Sequence, residues 1–255
     1  SSSSSVPEHD LDQARKSFNS TSIHLKDVRA MSSTTVKLFW DIHGSQEYIE
    51  GFYIRYRDMT SDETNLKYNM VTIMNMGSTH VLADLNKFTK YEIFMVPFYK
   101  SVDGRPSNTR TVETLEDVPS AYPESFNAKL INLTTVILSW SQLPSNHING
   151  KLLGYNIYLY GNGSAIHSNI TTNASTNSIS LFNLTPGAIY SARILAFNQV
   201  GAGPFSSPIS IRMEPDFIKS NIDDEEFTAN SLNTSYFDAK QTWFLVGVIC
   251  TIIFA

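Results

Sequence analysis

Apolar and polar residues alternate with a period of two over much of this chain. In TTVKLFWD, residues 34–41, the side chains of Val36, Leu38 and Trp40 fall on one face. In GFYIRYR, residues 51–57, Phe52, Ile54 and Tyr56 share one face while Tyr53, Arg55 and Arg57 take the other. The scheme returns later in Val136, Leu138 and Trp140, and then in Tyr155, Ile157 and Leu159. In LTPGAIYSARILAFNQVGAGPFS, residues 184–206, Pro186 and Gly187 would break a helix at its start, and Ala192, Ile194 and Ala196 alternate after them. A period of two with turn residues between the runs predicts short strands, each with one buried face.

These strands belong to an internal repeat. Leu85 and Tyr91 stand six apart, as do Leu184 and Tyr190 ninety-nine residues on, and Trp40 and Trp140 are one hundred apart. A repeat of about a hundred residues is the size of one small all-β domain rather than of a solenoid unit. The chain therefore divides into a low-complexity, disordered head at 1–19, domains at 20–116 and 119–213, an acidic stalk at 214–242 and an apolar tail at 243–255. Within the head, LDQARKSF at 11–18 predicts a short helical turn. Between the domains, Pro119 and Pro123 lie in ETLEDVPSAYPESF, residues 113–126, and restrict their predecessors to extended geometry. A short, semi-rigid linker and an end-to-end pair are expected. In β-sandwiches a tyrosine near the start of a late strand turns its hydroxyl back to upstream backbone. Tyr91 and Tyr190 are placed for this, with Leu85 and Leu184 capping the core and Trp40 and Trp140 anchoring it.

Composition narrows the function. The stalk and tail hold seven acids and two bases, leaving seventeen of each sign in residues 1–213, so no basic field draws the chain to nucleic acid. The only cysteine, Cys250, lies in the tail, which excludes a disulfide inside either domain. Alone, that suggests a reducing compartment, but glycosylation signals point the other way. Asn-x-Ser/Thr occurs at Asn19, Asn132, Asn162, Asn169, Asn173, Asn183 and Asn233. Five of these fall in the second domain, which has only five charged side chains, and glycans would supply the missing solubility. Passage through the secretory pathway is the expectation.

The tail WFLVGVICTIIFA has thirteen uncharged residues. As a helix it reaches ~20 Å, short of the ~30 Å bilayer core, so it reads as the start of a truncated transmembrane helix with Trp243 at the outer interface. A buried strand and a removable lipid-anchor signal are the alternatives.

Catalytic chemistry finds no footing. The six histidines show no metal-ligand spacing, and no nucleophile elbow, phosphate loop or dinucleotide fingerprint occurs. No cofactor, no metal and no enzymatic activity are expected. The glycines of GNG at 161–163 and GAG at 201–203 read as turn residues. Asp103, Gly104 and Arg105 read as a hairpin turn built on Asp-Gly rather than as an adhesion motif. Tyr53, Arg55 and Arg57 form a candidate contact face, because aromatic residues and arginine are enriched at protein contacts; a plain solvated sheet face is its alternative.

The Trp on the second strand, the L-x-P-G-x-x-Y stretch at 184–190 and the A-F-N-x-x-G-x-G-P-x-S stretch at 196–206 resemble fibronectin type III domains. The resemblance implies an all-β fold of two tandem fibronectin type III, immunoglobulin-like sandwiches. The first copy departs from the pattern, with Lys87 and Phe88 for the Pro-Gly pair and Pro97-Phe98 further on. LDQARKSF, IEGFYIRYRD, YEIFMVPFYKSVDGRPSNTRTVETLEDVPSAYPESF and PSNHINGKLLGYNIYLYGN resemble the Roundabout axon-guidance receptors in their last two fibronectin domains, and there Pro97-Phe98 becomes a match. That similarity implies a single-pass cell-surface receptor with its N-terminus outside and protein partners. It implies a role in spacing and in receptor self-association. Slit would bind only through distal domains missing from this chain, and a surface protease would cut the stalk. A cytokine receptor, another adhesion receptor, or the outer part of a receptor tyrosine phosphatase or kinase are the rival readings.

Overall fold

A computed structural model describes residues 7–60, 67–74, 77–161 and 166–214. Apart from Glu214, the stalk and the apolar tail lie outside the described residues. Among the described residues no helix is long and apolar enough to cross a membrane.

The chain opens with helix α1 (Glu8–Ser20). The first sandwich follows as β1 (Ser22–Ala30), β2 (Val36–His43), β3 (Gly51–Asp58), β4 (Asn69–Ile73), β5 (Thr79–Leu82), β6 (Lys90–Tyr99), β7 (Val102–Asp103) and β8 (Arg110–Glu113). The second comprises β9 (Asn127–Asn132), β10 (Thr135–Ser139), the single turn α2 (Ser145–Ile148), β11 (Leu152–Tyr160), β12 (Ile166–Asn173), β13 (Ser178–Leu181), β14 (Ile189–Asn198) and β15 (Ile209–Arg212). All strand pairs are antiparallel. In the first unit β1-β2-β5 faces β4-β3-β6, with β7 and β8 both on the far side of β6. In the second, β9-β10-β13 faces β12-β11-β14-β15.

The inward residues of the two sheets make each core. Val36, Leu38, Phe52, Ile54, Ile93 and Met95 are completely buried in the first, as are Val136, Leu138, Tyr155, Ile157, Ala192 and Ile194 in the second. Trp40 meets Phe52 edge-on at 5.6 Å between centroids, and Trp140 meets Tyr155 at the same 5.6 Å. Edge-to-face pairs of this kind add about 0.5–1.5 kcal/mol to the burial of the rings themselves.

The N-terminal segment is more structured than the short turn expected from LDQARKSF. A thirteen-residue helix in isolation is marginal. Here Ala14 and Phe18 are buried in the first core, with Leu11 packed beside them. Burying one phenylalanine contributes about 1.5–3 kcal/mol, enough to hold a helix whose own propensity is weak. Gly104 makes room for it: a Cβ there would come within 2.7 Å of Pro97 and 3.2 Å of the Phe18 ring. Glu8 and Asp10 complement the helix dipole in the first turn.

Asp-Gly at 103–104 does not form the hairpin turn that its composition suggests. Tyr99 pairs with Val102, so the turn is Lys100-Ser101, three residues earlier. Lys100 takes the left-handed conformation (φ 54°), and its N–H donates to Glu50 Oε2 at 2.9 Å while its ammonium meets Oε1 at 2.7 Å. Gly104 N–H instead extends the ladder to Pro97 O, at 2.8 Å.

Candidate contact surface

Strand β3 points Tyr53, Arg55 and Arg57 away from the core, and β6 points Glu92 and Phe94 to the same side. Tyr53 is stacked on Phe98, with 4.3 Å between centroids and 18° between planes. Phe94 meets Tyr68 edge-on at 5.1 Å. Arg57 and Arg55 differ in their surroundings. Arg57 Nε donates to Glu92 Oε2 at 2.5 Å, the Tyr68 hydroxyl donates to the same oxygen at 2.6 Å, and the guanidinium lies over the Tyr68 ring at 5.4 Å. The Tyr68 hydrogen bond, and then Arg57, hold the Glu92 carboxyl below the usual carboxylate range. Arg55, by contrast, pairs across the sheet with Phe94 and Met70. Among the described residues it has no carboxylate in ion-pair reach. The face is thus an aromatic sheet surface with one arginine engaged and one available.

Residues 84–91 and 183–190 form the two corners. Tyr91 Oη accepts from Asn86 N at 2.8 Å, and Tyr190 Oη accepts from Thr185 N at 3.1 Å. Burial pushes the Tyr91 phenol up. Leu85 and Leu184 are both buried beside them. Gly187 sits at φ 76°, and in the first copy Phe88 occupies the equivalent place at φ 44°.

Asn19, Asn132, Asn169, Asn173 and Asn183 are all exposed. Asn19 lies near the end of α1, and Asn132 ends β9 just before the turn into β10. Asn169 and Asn173 lie on β12, the outer strand of its sheet. Asn183 takes the left-handed conformation before the second corner. Asn162, Asn233 and the GNG turn lie outside the described residues, apart from Gly161. No group of His, Cys, Asp or Glu among the described residues is arranged to hold a metal ion.

The linker offers a feature that composition did not signal. Asp117 Oδ2 accepts from Lys87 Nζ at 2.8 Å and from Ser33 Oγ at 3.1 Å, both in the first sandwich. Its backbone serves the second: Asp117 N–H donates to Asn149 O at 2.8 Å, and Asn198 Nδ2 donates to Asp117 O at 2.6 Å. Asn149 Nδ2 in turn reaches Val118 O at 2.9 Å. One residue therefore holds both sandwiches, and Lys87 keeps its carboxyl below the usual range. Beside this clasp lies a cleft of about 670 Å³, lined by Thr34, Lys87 and Phe88 on one side and Ser145, Asn146 and Asn149 on the other. Sequence reasoning missed Asp117 because its partners lie up to 84 residues away. It also passed over Phe94 and Glu92, although the alternation of β6 places both opposite Tyr91 and Ile93.

The fibronectin type III domain matches residues 121–212, the second sandwich, and the first repeats its topology. Residues 121–212 thus belong to the fibronectin type III family. Several longer proteins are similar to the pair as a whole. Protein sax-3 of Caenorhabditis elegans is 32% identical over 221 residues, covering 84% of this chain and 17% of its own length. Roundabout homolog 2 of Homo sapiens is 28% identical over 245 residues, covering 92% of this chain and 17% of its own length. Cell adhesion molecule DSCAML1 of Homo sapiens is 33% identical over 198 residues, covering 74% and 10%. The chain is similar to these receptors over both sandwiches, and it spans about a sixth of the length of the first two relatives.

Proposed function

We propose that this chain is the membrane-proximal extracellular part of a single-pass neuronal guidance receptor of the Roundabout kind. It works by contact and not by turnover. The two sandwiches at 20–116 and 119–213 space more distal domains from the membrane, the 214–242 segment serves as a stalk, and 243–255 begins a membrane helix. Slit, in this reading, engages domains outside the chain, and the first sandwich offers Tyr53, Arg55 and Arg57 to protein partners.

The observation that supports it most is similarity running through both sandwiches and the linker together, over 84–92% of the chain, to sax-3 and Roundabout homolog 2. The exposure of all five described glycosylation acceptors fits an extracellular location. The reading is tested at the gene. Sequencing the transcript on both sides of codons 1–255 is expected to show immunoglobulin-type domains upstream, with a full membrane helix and a tail free of catalytic domains downstream. A kinase or phosphatase domain downstream would overturn the proposal.

A further inference from the structure

The two sandwiches are built alike but end their second sheets differently. Arg55 pairs with Met70 across β3 and β4, and Tyr53 pairs with Thr72. In the second copy Tyr158 pairs with Asn169, and Asn156 pairs with Thr171. Counting from the corner tyrosines, Met70 is the counterpart of Asn169. Likewise Met74, one residue past the Ile73–Phe52 pair, is the counterpart of Asn173, which pairs with Gly154. Where the second sandwich carries two glycan acceptors on its edge strand, the first carries methionines exposed at 52% and 61%.

Strand β4 is also an open edge. It is the terminal strand of its sheet, and among the described residues nothing pairs with its outer side. Folded proteins shield such edges with charge, proline, bulges or cover, because unpaired N–H and C=O groups template a further strand. Asn69-Met70-Val71-Thr72-Ile73 has no charge, no proline and no register shift. The corresponding strand β12 has a bulge opposite Tyr160 and the two acceptors.

We propose that β4 is the self-association edge of this region, taking β4 of a second copy in antiparallel register about Val71 to join the two first sandwiches into one continuous sheet. A twofold axis requires identical strands to run antiparallel, and an uncharged strand meets its own copy without like-charge repulsion. The exposed methionines suit such a seam, being long, flexible and polarisable. Glycans on Asn169 and Asn173 would bar the equivalent edge of the second sandwich, and a twofold pairing through β4 closes as a dimer. This rests on the extracellular reading above.

The sequence supplies its own test. Residues 70–72 read Met-Val-Thr, so the single change Met70→Asn creates an Asn-Val-Thr acceptor that mimics the second copy, while Met70→Gln changes the side chain without creating one. The full chain would be expressed in a secretory host and kept in detergent micelles. Sedimentation equilibrium and amide hydrogen exchange would then be followed across a concentration series. The wild-type protein and Met70→Gln are expected to shift toward twice the monomer mass as concentration rises, with growing protection at residues 69–73. Glycosylated Met70→Asn is expected to stay monomeric, with an unchanged melting temperature as evidence that it folds. A wild type that stays monomeric, or association that survives the added glycan, overturns the proposal. If instead Asn169 and Asn173 carry no glycan in that host, it is the extracellular reading that fails, whatever the oligomeric state.

Discussion

Phe88 shows how a repeat tolerates a poor residue at a demanding place. The corner needs left-handed backbone there, supplied freely by Gly187 in the second copy and by a phenylalanine at φ 44° in the first. An L residue with a bulky side chain in that region costs about 1–2 kcal/mol. The ring is 38% exposed, so it regains only part of this through packing. Phe88→Gly is therefore expected to stabilise the first sandwich by up to about 1 kcal/mol, after allowing for the extra freedom of glycine in the unfolded chain. Urea denaturation followed by the fluorescence of Trp40 measures this. A loss of similar size would show that ring packing outweighs backbone strain. The corner tyrosines themselves spend their hydroxyls on backbone five residues upstream.

Among the elements, β6 and β3 carry the most chemistry, since their outer residues bring Glu92, Arg57 and Tyr68 together. A carboxyl whose folded pKa lies below its unfolded value, about 4.3, favours the folded state above that pH. That contribution fades as pH falls through the folded value. Thermal melts of the wild type between pH 6 and pH 3 are expected to fall more steeply than those of Glu92→Gln, which has no such proton to take up. Parallel slopes would mean that the triad does not couple to folding. The strands were legible because their alternation is strict, as in Val136 to Trp140, where one face had to be buried whatever the partner strand. The full length of α1 was not, because a thirteen-residue helix is marginal by itself and is held by the burial of Ala14 and Phe18 in the first core. The Lys100-Ser101 turn escaped for a different reason. Asp-Gly favours a turn locally, but pairing of Tyr99 with Val102 and the hold of Glu50 on Lys100 override it.

At the scale of the molecule, the proposed spacing role depends on whether two sandwiches act as one column. The duplicated fold was readable from the Trp and Tyr spacing, and the similarity to Roundabout receptors from the long matching stretches. The join was not. Asp117 works through backbone and side-chain bonds to residues distant in sequence, and no local pattern announces them. Lys87, which departs from the usual proline in the first corner, is the residue that reaches this clasp. The open β4 edge was not legible either, because strand order is set by pairing between residues far apart in the chain. The measurement that bears most directly on the column is a set of residual dipolar couplings from both sandwiches of the intact chain, wild type and Asp117→Ala. A single alignment tensor is expected to fit both units of the wild type, and two different tensors are expected to be needed once the carboxyl is gone. Independent tensors in the wild type would contradict a fixed pair, and with it the spacing role.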